Sequence, residues 1–124
     1  MPTRREFVQT GMAAAVLAPF PAAAAAFASP QLYKFIFDEH FPASVRVAQR
    51  AAHSGVAIHG IRGDVTGLWY HDLYFAWKKG PVPIAGITRA DSLFCLEILA
   101  RDAGLRLKSR VEDGPLVSWV IGPK

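Results

Sequence analysis

Three short segments carry side chains able to do chemistry: Asp38-Glu39-His40, Arg62-Gly63-Asp64 and Thr88-Arg89. Asp38, His40 and Asp64 are the acid–base candidates, because a carboxylate beside an imidazole can pass a proton near neutral pH. Arg62 and Arg89, with the Thr88 hydroxyl, are candidate clamps for a small anionic ligand, since guanidinium groups match carboxylate and phosphate oxygens. A plainer reading stands beside this one. Strand ends are polar where they meet water, and Asp64, Thr66 and Thr88 all suit helix caps.

Other chemistries find little support. No Gly-x-Gly-x-x-Gly follows the first apolar run, so a dinucleotide site is not expected. No Cys-x-x-Cys or Cys-x-x-Cys-His occurs, which removes local motifs for thiol redox and covalent haem. The four histidines, His40, His53, His59 and His71, lack the tight spacing of metal ligands, and no metal is expected. No resident cofactor is assigned. The single cysteine, Cys95, falls two turns into an apolar helix and reads as a buried structural thiol.

The elements that must position these residues follow from periodicity. Leu32–Phe37 is aromatic and β-branched, a buried strand closing at Asp38. Pro42 suits a first helical position. From Ala43 to His53, Arg46, Gln49, Arg50 and His53 make a polar face, with Val45, Ala48, Ala51 and Ala52 inward. Val56–Ile61 is a second strand. Thr66–Lys79 carries Leu68, Trp69, Leu73, Ala76 and Trp77 at roughly helical spacing, although its five aromatics would suit a strand as well.

Val82–Ile87 is a proline-interrupted third strand. Arg89–Ala103 is the clearest helix, with Leu93, Leu96, Ala100 and Ala103 inward, joined by Phe94, Cys95, Ile98 and Leu99. Leu105, Leu107, Ser109 and Val111 alternate with Arg106, Lys108 and Arg110, the pattern of a half-buried strand with a solvated basic face. Asp113-Gly114 signals a hairpin into Leu116–Ile121. The order β-α-β-α-β-α-β-β predicts a small single-domain α/β fold. Its sheet is expected to be mostly parallel, with an antiparallel C-terminal edge hairpin. On such a sheet the three chemistry-bearing segments share the rim at the carboxyl ends of the strands.

The stretch Leu68–Trp77 raises a separate expectation. A domain this small has little room for all its aromatics, so Trp69, Tyr70, Tyr74 and Trp77 are candidates for a surface that takes a protein partner.

The N-terminus sets the compartment. Thr3-Arg4-Arg5-Glu6-Phe7-Val8 precedes an Ala/Val/Leu-rich run from Gly11 to about Phe27, and Ala26-Phe27-Ala28 offers small residues for a signal peptidase. This segment resembles a twin-arginine (Tat) signal peptide, with Gln9 where the pattern often has lysine. The resemblance covers the leader only. It implies recognition by the Tat translocase, cleavage after Ala28 and export to the periplasm, leaving Ser29–Lys124 as one domain. Pro19, Pro21 and the many alanines argue against a stable membrane anchor.

The formal charge of +4 in 124 residues is too mild to demand nucleic acid. Three functions therefore stand as expectations. The first is an exported accessory or binding protein engaging a protein partner or a small anionic ligand. The second is a small periplasmic enzyme using the strand-end Asp and His groups. The third is a subunit of an exported redox complex.

Overall fold

A computed structural model of the chain describes residues 32–124; the leader, with its expected cleavage point, lies outside the described residues. Five strands form one sheet: β1 (Lys34–Asp38), β2 (Ile58–Ile61), β3 (Ile84–Thr88), β4 (Leu105–Asp113) and β5 (Leu116–Pro123). Helix α1 (Pro42–His53) joins β1 to β2, and α3 (Ala90–Asp102) joins β3 to β4. Between β2 and β3 lies α2, a composite helix of Thr66–Leu68, a π-helical turn at Trp69–Leu73, and Tyr74–Lys79.

The strands lie in the order β2-β1-β3-β5-β4. β1 runs parallel to β2 and β3, whereas β5 is antiparallel to β3 and to β4. The α/β class is therefore observed, in a mixed sheet: two ladders are parallel and two antiparallel, because β5 alone runs against the other four strands. The final strand lies inside the sheet and β4 forms the edge. That inversion follows from α3, which carries the chain past the empty β5 position and leaves it for the hairpin to fill.

Helices cover both faces. Leu68, Leu73 and Trp77 of α2 and Leu93, Leu96 and Ala100 of α3 pack on Ile36, Ile61, Ile84, Leu105, Val117, Trp119 and Ile121. On the opposite face, Val47, Ala48 and Ala51 of α1 pack on Phe35, Ala85, Ile87 and Leu116. The inward stripe of α1 thus starts at Ser44 and includes Val47, while Ala52, expected inside, is exposed. Gly86 lets the Trp119 indole lie against the sheet. A Cβ there would sit 2.4 Å from the Ile36 carbonyl oxygen and 2.6 Å from the indole ring.

Two departures from the sequence pattern matter for the surface. β4 shifts register between Leu107 and Ser109. Leu107 pairs with Ile121 and lies on the α2/α3 face, whereas Ser109 pairs with Val120 on the α1 face. The alternation that looks unbroken in the sequence is therefore split by a bulge at Lys108. Arg106 and Arg110 end on opposite faces, so the expected basic ribbon does not form.

The second departure is on α3. Phe94 and Ile98 are 61% and 44% exposed, and Cys95 is exposed as well, so the buried-thiol expectation is corrected. The hairpin itself turns at Gly114-Pro115, with Asp113 already paired to Leu116 and Gly114 at φ 60°.

Candidate functional site

After β1 the chain turns onto the α1 face, and after β3 it turns onto the α2/α3 face. The loops beyond these neighbouring strands therefore part, making the kind of crevice at which open α/β sheets bind ligands. Asp38 stands at this point, fully buried at the end of β1. Its Oδ1 accepts the backbone N–H of His40 at 2.9 Å and lies 3.0 Å from His40 Nδ1. Ser44, in the first turn of α1, donates its hydroxyl to the Asp38 carbonyl, so backbone and side chain are both fixed. Among the described residues Asp38 Oδ2 has no hydrogen-bond partner.

The His40 side chain is 58% exposed. A carboxylate held against Nδ1 favours the proton on that nitrogen and leaves Nε2 facing outward as an acceptor. Of the expected acid–base trio, these two are brought together. Asp64 is not. Its Oδ1 accepts from the backbone N–H and hydroxyl of Thr66, at 2.9 and 2.6 Å, in an Asx turn just ahead of α2. Those hydrogen bonds hold the Asp64 carboxyl below its ordinary value.

The anion-clamp candidates divide in the same way. Arg62 Nε donates to Glu39 Oε1 at 2.9 Å beside His40, with both side chains exposed. Arg89 leads into α3, which has no side-chain N-cap, and its Nε stands 3.5 Å from Asp91. Arg89, Ala90, Asp91, Phe41 and Pro115 line an open depression of about 370 Å³. Thr88 is buried: its hydroxyl accepts the Trp119 indole N–H at 3.1 Å and donates to the Arg89 carbonyl. It serves the fold.

At the other end of the sheet lies a cluster that sequence reasoning missed. Asp72, in the π-helical turn, accepts the Tyr33 hydroxyl at 2.5 Å and pairs with Lys34 at the start of β1. The hydrogen bond to Asp72, with burial and the carboxylate charge, pushes the Tyr33 phenol up to about 12. Burial alone would raise the Asp72 carboxyl. The hydrogen bonds from Lys34 and Tyr33, together with the charges of Lys34 and His59, outweigh it and hold the group below its ordinary value. A signal was present: Asp72 follows Trp69 by three residues and precedes Ala76 by four, which places a carboxylate beside the inward row.

The expected partner surface is partly core. Trp77 is 6% exposed and donates its indole N–H to the Val82 carbonyl, and Trp69 is half-buried. Tyr70, Tyr74 and Phe75 do reach the surface. A groove of about 310 Å³ between α2 and α3 is lined by Trp69, Tyr74, Trp77, Lys78, Leu99 and Asp102, among others.

Among the described residues no group of three or more His, Cys, Asp or Glu side chains is placed to hold a metal, and no helix is long and apolar enough to cross a membrane. Compared with known protein families, curated proteins and solved structures, the chain matches none.

Proposed function

We propose that this domain is an exported binding protein whose ligand, a small anionic molecule, sits at the rim between Arg62 and Arg89 with His40 against it. The observation that carries this reading is the Asp38–His40 pair, a buried carboxylate orienting an exposed imidazole where the loops after β1 and β3 diverge. The N-termini of α1 and α3 open on the same rim and favour negative charge. Should the ligand be turned over, His40 Nε2 is the group positioned to take its proton, with Asp38 as the positioning residue. The twin-arginine-like leader is the basis for assigning the domain to the periplasm, after delivery by the Tat translocase and removal of residues 1–28.

A second reading has its own observation. Tyr70, Tyr74 and Phe75 on α2, with Phe94 and Ile98 on α3, expose large apolar side chains on the two helices of one layer. Such a layer suits capture of an exported protein partner, including the other subunit of a redox complex.

Amide shift mapping of the purified chain against inorganic phosphate and short mono- and dicarboxylates separates the two. Saturable shifts around His40, Arg62 and Arg89, abolished in Arg62→Gln/Arg89→Gln and retained in Tyr70→Ala/Phe75→Ala, are expected. The absence of any saturable rim shift, with a co-purifying partner lost only in the aromatic variant, would transfer the assignment to the α2/α3 layer.

A further inference from the structure

The depression beside Asp72 has the composition of a site in its own right. Its volume is about 340 Å³, within the range of small-molecule pockets, and it lies at the strand-start end of the sheet, opposite the rim. Tyr33, Phe75, Ala76 and Val82 supply aromatic and aliphatic wall, while His71 and Lys79 supply basic groups.

Charge decides what such a space prefers. The Asp72 carboxylate is engaged on both oxygens, by Tyr33 and by Lys34. Its negative charge is therefore balanced within the protein. Lys79 is exposed, and among the described residues it has no ion-pair partner. The Tyr33 hydroxyl hydrogen is committed to Asp72 and the Lys34 ammonium stands over one face of the ring, 5.1 Å from its centroid, so this residue offers a ligand the rest of its ring. An apolar slot with one uncompensated cation at its margin suits a flat ring bearing a single anionic group. The π-helical turn supports the assignment, because wide turns of this kind are frequent where a helix has been adapted to a site.

We propose that this depression is a second small-molecule site, distinct from the rim, which takes an aromatic monocarboxylate with its ring against Tyr33 and Phe75 and its carboxylate on Lys79 and His71.

Benzoate, titrated into the isotopically labelled full chain, is the probe, with inorganic phosphate as the parallel arm. The expected result is saturable amide shifts at His71, Phe75 and Lys79 that leave His40 and Arg89 unmoved. Lys79→Gln, a surface change that should not disturb folding, is expected to weaken binding about tenfold. Phe75→Ala weakens it too, whereas Arg89→Gln leaves it intact even if the rim proves empty. Benzoate shifts centred on the rim, shifts that persist in Lys79→Gln, or no saturation would overturn the proposal. Equal shifts with phosphate would overturn its aromatic part, leaving only a basic surface.

Discussion

Tyr33 and Asp72 are tied by one short hydrogen bond, and each changes the proton affinity of the other. The Tyr33 phenol is pushed up from its ordinary 10.0 to about 12. A raised acid contributes stability that is fully present below pH 10 and is lost as pH rises through about 12. Asp72 has the opposite sign. Its folded value is depressed, so its contribution is present above pH 3.8 and is lost as pH falls through that lower value. Phenolate absorbance read across alkaline pH should show one of the three tyrosines ionising near 12. Tyr33→Phe should delete that step, and Asp72→Asn should return it toward 10. An unchanged profile in both variants would refute the coupling. Asp72 stands beside the inward row of its helix, but Tyr33, read within the first strand, is unremarkable, and nothing local pairs the two. Their meeting depends on where β1 starts relative to α2, which no local pattern encodes. The rim segments behaved differently. His40 lies two residues from Asp38, so their hydrogen bond is nearly local and was within reach of a sequence reading. Asp64 and Thr88 had the right chemistry and the right end of the sheet, yet nearby backbone and indole groups engage them first.

At the scale of the element, helix α3 shows how far periodicity carries. Leu93, Leu96 and Ala100 are buried as their spacing requires. Phe94, Cys95 and Ile98 are equally apolar but point outward, because the sheet offers α3 only one side and residue type alone does not say which. Phe94→Ser/Ile98→Ser should therefore leave stability within about 0.5 kcal/mol, the range for surface substitutions. Leu96→Ala, by contrast, should cost about 3 kcal/mol, since it opens a cavity in a fully buried position. Denaturant unfolding of both variants checks this; a large loss in the serine pair would place those side chains in a packed interface. The composite helix α2 teaches a related lesson. Its aromatics left helix and strand both open in the sequence, and Leu68, Leu73 and Trp77 settle on the core only with a wide turn between the first two. Bonding of that turn to β1 through Asp72 is a tertiary effect, invisible to any window along the chain.

Across the whole molecule, one sheet separates two ends with different character. The rim is ringed by arginines, carboxylates and an imidazole, while the opposite end holds the aromatic and lysine-edged depression. The alternation of strands and helices made the α/β class legible, since each crossover is a separate amphipathic segment. Which hairpin strand lies inside the sheet was not legible, because two strands joined by a tight turn can enter a sheet from either side. β4 ends up at an edge for its full nine residues. Such an edge is a template on which a second chain can add a strand, and the bulge at Lys108 distorts it in the middle. Deleting Lys108 would make the pairing with β5 regular while keeping every other side chain on its present face. The expected outcome is a domain that still folds, with helical and sheet circular dichroism intact, but that assembles into dye-binding fibrils on standing; clear solutions of the deletion variant would contradict this. One additional residue in one strand thus acts as a guard on colloidal behaviour, keeping a compact, apolar-rich domain from templating its own copies at high local concentration.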